Sequence, residues 1–171
     1  VTATLTERDA PIYENNDVEV FIAGQDAYYE FEINALGTIY EVLFVWEEAY
    51  QRDGYDKLPG LQLDAEGAQP FNGVGLSNHP RGMRRGFFRW DLPGLQWAVH
   101  VDGTLNDDSD RDRGWTVELA FPWKAMDVLA RGDNRSLPPN EGDVWRMDFS
   151  RFNQYKDCLL YTSPSPRDFQ V

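Results

Sequence analysis

The chain has 171 residues, a formal charge of −13 and 14% aromatic residues, six of them Trp. That length allows one domain with a sizeable core. So acidic a surface repels nucleic-acid phosphates and anionic membranes alike, which excludes DNA, RNA and lipid headgroups as expected partners.

In chain order, the opening run "VTATLTERDAP" has neither the basic nor the apolar region of a leader, and no apolar stretch is long enough to cross a bilayer. Beginning with Val1 on a segment that reads as strand, the sequence is expected to be a piece of a longer protein, so a missing leader leaves the compartment open. "DVEVFI" alternates Val18, Val20 and Ile22 with Asp17, Glu19 and Phe21. The next strand sets Tyr29, Phe31 and Ile33 against Tyr28, Glu30, Glu32 and Asn34. Both show the two-residue period of a strand with one core face and one wet face. "TIYEVLFVW" is apolar on both sides, as a central strand is.

A Gly/Pro/Asn-rich excursion from about Gln51 to Pro93 follows, without periodicity. Then "GLQWAVHVDG", "GWTVELAF" and "VWRMDFSRF" alternate again, and their phase assigns Trp97, Trp115 and Trp145 to packing. Only "PWKAMDVLA", with Pro122 suited to a first turn and Gly132 past its end, predicts a helix, and a short one. Many short alternating strands with turn-rich joints predict an all-β antiparallel sandwich with one short helix.

The last stretch stands apart. "CLLYTSPSPRD", Cys158 to Asp168, matches one reading frame of a common transposase sequencing adapter over the whole run, and is expected to be read-through and not biology. Residues 158–171 are therefore set aside from a domain at 1–157. With them goes the single cysteine, leaving no disulfide, thiolate metal site or cysteine nucleophile.

Chemistry-bearing spacings are few. Glu30 and Glu32 lie about 6 to 7 Å apart by strand rise, within the range of a glycosidase pair. Neighbours on one strand point the same way, however, and do not approach a sugar from opposite sides in different environments. His79 and His100 lack metal-ligand spacing, and Gly73 and Gly75 lack the rest of a phosphate-binding fingerprint. Asp108, Asp110 and Asp112 have the alternate spacing of a calcium loop, but Arg113 stands where its glycine belongs and Leu119 where its bidentate Glu belongs. A looser calcium site or a solvated acidic turn remain. The cluster Arg81, Arg84, Arg85 and Arg89 reads either as partners for nearby acids or as a ligand-facing rim. A sugar needs exposed aromatic faces flanked by directional polar groups. Tyr13, Tyr28, Trp46, Trp90 and Tyr155, which are not clearly in phase with a core stripe, are the candidate platforms, with Arg89 beside Trp90.

"ERDAPIYENNDVEVFI", "YYEFEINALGTIYEVLF", "GLQWAVHVDGTLND", "GWTVELAFPWKAM" and "WRMDFSRF", in that order from Val1 to about Phe152, together resemble carbohydrate-binding module family 9 and its DOMON-like relatives. The resemblance implies a β-sandwich that binds glycan ends or short saccharides without cleaving them, in a secreted or periplasmic protein. It also implies, often, a linked glycoside hydrolase and structural calcium, with no other cofactor. It places a sugar-stacking aromatic at Tyr13, a hydroxyl acceptor at Glu19, and a second aromatic with its companion amide at Tyr155 and Asn153. Family members carry Trp where this chain has Tyr13, and have strands ahead of Val1. The alternatives from other classes are a hydrolase or lyase using Glu30 and Glu32, and a purely structural or adhesive sandwich.

Overall fold

The computed structural model describes residues 1–73, 79–155 and 158–162. The strands are β1 (Asp17–Ala23), β2 (Ala27–Asn34), β3 (Ile39–Trp46), β4 (Ala68–Phe71), β5 (Arg84–Phe87), β6 (Gln96–Asp102), β7 (Gly114–Ala120), β8 (Arg146–Tyr155) and β9 (Cys158–Thr162). Seven of them form one sheet in the order β4-β5-β3-β2-β1-β8-β9, and β6 and β7 form a separate hairpin. Neighbours are antiparallel throughout. The expected all-β, sandwich-like architecture is present.

The β1–β2–β3 meander forms because its turns are chemically specified. After β2, the Asn34 side-chain oxygen accepts from the backbone N–H of Leu36 (3.0 Å) and of Thr38 (3.1 Å), and Gly37 takes the left-handed φ of 82° that closes the turn. Before β2, Gly24 lies so close to the Leu129 carbonyl that an added Cβ would sit 2.1 Å from its oxygen. Every residue of β3 is buried, as a strand apolar on both sides should be.

Val20, Ile22, Tyr29, Phe31, Ile33, Leu43 and Val45 share one face of the sheet and form the main core. The hairpin lays Val99, Val117, Leu119 and Phe121 over it. The predicted helix is a 3-10 turn, Trp123–Met126, running into a short α-helix at Asp127–Ala130, with Met126, Val128, Leu129 and Ala130 buried.

Three expectations need correction. The excursion hides β4 and β5, whose "AQPF" and "RRGF" are too short and too rich in Pro, Gly and Arg to show a period, and a helical turn at Glu47–Tyr50 precedes it. The first eleven residues form no strand, only a bend and a turn at residues 7–9. Trp97, expected in the core, is 39% exposed at the rim, its indole N–H donating to the Gly37 carbonyl at 2.9 Å. A two-stranded second layer does not reach across the whole sheet. Met147 and Phe149, opposite Ile22 and Val20 on the core-facing side of β8, are accordingly exposed. Of the tail, Cys158–Thr162 pairs with β8, while 163–171 lies outside the described residues.

Candidate functional site

The opposite face of the sheet carries the acids. Pairing sets Asp17, Glu19 and Phe21 of β1 against Asn34, Glu32 and Glu30 of β2. Phe152, Ser150 and Asp148 of β8 flank them on one side, and Tyr40 and Val42 of β3 on the other. The alternation predicts that the acids share one side of each strand, and it also predicts that this side is wet. Instead Asp17, Glu19, Glu32 and Asn34 are buried, and only Glu30 is half-buried.

The cover is the N-terminal segment. Asn34 Nδ2 and Thr38 Oγ1 each donate to the Leu5 carbonyl at 2.8 Å, Asp9 N donates to the Ile39 carbonyl at 2.9 Å, and Asn16 Nδ2 donates to the Thr2 carbonyl at 3.0 Å. Ile12, on a 3-10 turn at Ile12–Glu14, closes a second apolar cluster with Tyr28, Tyr40, Val42 and Phe44.

Beneath that cover, Asp17, Glu19 and Glu32 each bring a carboxylate oxygen within 4.8 Å of the others. Asp17 Oδ1 accepts from Phe152 N at 3.3 Å and Glu19 Oε2 accepts from the Ser150 hydroxyl, but Asp17 Oδ2 and Glu32 Oε2 are buried with no hydrogen-bond partner. Burial is the first cause raising all four carboxyls, with neighbouring acids the next main raising influence. Asp17 is pushed up to about 8 and Glu30 to about 7, while Glu32 is held well above the usual range and Glu19 is also raised.

Of the expected platforms, Tyr13 is the accessible one. It is 39% exposed and meets Tyr40 edge-on, with ring centres 5.5 Å apart. Its hydroxyl is raised first by burial and then by Glu14, Glu32 and Glu30, which places it in the field of the acids. Tyr28 is buried, stacked on Phe44 at 4.7 Å, and its hydroxyl accepts from Arg84 Nη1 at 2.6 Å. Trp46 is 1% exposed, with Arg81 and Arg84 over its ring at 4.8 and 5.0 Å. Neither ring is free to stack on a sugar. Trp90 lies on the other face, edge-on to Tyr29 at 5.8 Å. Asn153 accepts from Arg151 Nη2 at 3.1 Å, and the Tyr155 side chain lies outside the described residues.

The basic cluster is engaged within the molecule. Arg81 pairs with Asp26 and Glu48, Arg85 with Glu47, and Arg89 with Asp9 at 3.2 Å. In the acidic loop, Asp108 and Asp110 are exposed, and Asp112 accepts from Thr104 N at 2.6 Å and pairs with the Val1 amino group. Among the described residues, converging carboxylates occur at Asp17, Glu19 and Glu32 and not in this loop.

One exposed aromatic was not anticipated. Trp123 is 46% exposed and lies 5.7 Å from Trp145, over which Arg135 sits at 4.6 Å. With Lys124, Asp127, Leu137 and Pro138, Trp123 lines an open cavity of about 450 Å³. No sequence signal separates it from the core, because it precedes Met126 by three residues, the spacing of one helical face.

Comparison of the chain with family models, with curated proteins and with solved structures returns no match.

Proposed function

We propose that the chain is a non-catalytic saccharide-binding sandwich of the kind that carbohydrate-binding module family 9 represents. The observation that carries this reading is the exposed Tyr13 ring, edge-on to Tyr40 at 5.5 Å at the margin of the acidic face, where Glu30 is the half-buried carboxylate. A pyranose laid on Tyr13 would present its apolar C–H face to the ring and its equatorial hydroxyls to Glu30 as acceptor. Glu19, assigned by the resemblance as direct acceptor, is 5% exposed and acts from beneath by holding Ser150.

Binding is favoured over cleavage by the electrostatics of the acids. A hydrolytic pair needs one carboxyl held protonated and its partner ionised. Here Glu30 and Glu32 project from one strand and are both raised, chiefly by the same burial. An exported location and a linked glycoside hydrolase accompany this proposal and rest on the resemblance alone.

Calorimetric titration of the chain with mono- and oligosaccharides, with product analysis of the same samples, tests it. The proposal expects heat without product. It also expects Tyr13→Ala to lose about 1 to 3 kcal/mol of binding, by analogy with stacking on other aromatic platforms. No heat for any sugar, or release of product, would overturn it. Loss on Trp123→Ala with Tyr13→Ala unaffected would move the ligand to the other cavity.

A further inference from the structure

We propose that Asp17, Glu19 and Glu32 form a binding site for a divalent, calcium-class cation within the sheet. Three carboxylates from two adjacent strands converge to within 4.8 Å, all buried. Asp17 Oδ2 and Glu32 Oε2 are enclosed there without a hydrogen-bond donor. Among the described residues no basic side chain forms an ion pair with any of the three, although the molecule pairs its other buried acids, Asp26 and Glu41, with arginines. A buried carboxylate is sustained by a counter-charge or by donors. In this cluster a cation is the group that satisfies both missing terms at once.

The donor chemistry selects the ion. All three ligands are hard anionic oxygens, with no imidazole or thiolate, which disfavours zinc and copper. Calcium takes hard oxygens at about 2.3 to 2.6 Å in flexible geometry, and three carboxylate oxygens that all lie within 4.8 Å of one another can share one such ion. Magnesium demands near-octahedral geometry at about 2.0 to 2.1 Å and gives up its waters reluctantly, which an enclosed cluster of carboxylates disfavours. Remaining coordination positions fall to second carboxylate oxygens or to water. The ion would fasten β1 to β2, and through the Ser150 and Phe152 contacts would brace β8. This site is distinct from the 107–112 loop and does not depend on saccharide binding.

Terbium luminescence, sensitised by Tyr40 across from Glu32, and thermal melts of the chain in chelator or calcium test the proposal without any sugar present. The expected results are terbium binding at one site per chain, displacement by calcium, and a melting midpoint that rises with added calcium. Glu32→Gln should weaken terbium binding at least tenfold and remove most of the calcium-dependent rise in the midpoint. Asp110→Asn should change neither. Absence of terbium emission together with a midpoint indifferent to calcium would overturn the proposal, as would binding abolished by Asp110→Asn and kept by Glu32→Gln. Equal stabilisation by magnesium would overturn the calcium assignment.

Discussion

Replacing Tyr29 by Phe isolates one buried interaction on the core-facing side of the sheet. The Tyr29 side chain is fully buried, and its hydroxyl donates to Glu41 Oε1 at 2.5 Å. The same carboxylate accepts from Leu92 N at 3.0 Å and pairs with Arg8. Phenylalanine keeps the ring and its edge-on contacts with Trp90 at 5.8 Å and Phe121 at 6.1 Å, so no cavity opens. What disappears is a hydrogen bond to a charged group, about 1.5 to 3 kcal/mol. For a domain of this size each kcal/mol moves the melting midpoint by about 2 to 4 °C, so Tyr29→Phe should lower it by about 3 to 12 °C. Calorimetry or circular dichroism reads this directly, and a double-mutant cycle with Glu41→Gln should return most of the loss as coupling. A drop under about 1 °C, or additive single effects, would refute the view that Tyr29 sustains the buried Glu41.

In chelator, the acidic face should make stability fall as pH rises. The folded carboxyls, Asp17 at about 8 and Glu30 at about 7, hold protons that the unfolded chain releases near pH 4, so stability present below pH 4 is lost through about pH 8. Glu19, raised by burial and by the facing Asp148 charge, and Glu32 reinforce that trend, the Arg84 charge opposes it at Glu30, and a midpoint higher at pH 8 than at pH 5 would contradict it. Gly24→Ala should cost about 1 to 3 kcal/mol in denaturant titrations, because its Cβ meets the Leu129 backbone at 2.1 Å, and a neutral outcome would mean that helix can withdraw. Phe149→Ser, at a position 52% exposed, should leave the midpoint within about 1 °C in thermal melts, and a large destabilisation would show the ring to be packed.

The period-two pattern was enough to place six strands and to sort their faces. Val18, Val20 and Ile22 separate from Asp17, Glu19 and Phe21 as the alternation requires. Alternation does not say what lies over a face. The acids read as solvated because nothing in "VTATLTERDAP" announces that this segment crosses them and anchors to Asn34 and Thr38. Cross-strand register was equally hidden. Glu30 and Glu32 are visible as a pair along one strand, whereas the meeting of Glu32 with Glu19 and Asp17 arises only when the tight turn at Gln25 and Asp26 fixes Glu19 opposite Glu32. Trp46 illustrates a third limit. Its place at the end of an apolar strand left it a candidate platform, but Arg84 and Arg81, nearly forty residues later, close over its ring.

A saccharide held on Tyr13 and the acidic face should show itself in ¹H–¹⁵N correlation spectra of the chain recorded during a saccharide titration. Saturable shifts are expected at Ile12–Asp17, at Glu30 and Glu32 of β2, and at Tyr40. Shifts confined to the Trp123 and Leu137 cavity, or a spectrum unchanged by every sugar, would contradict it.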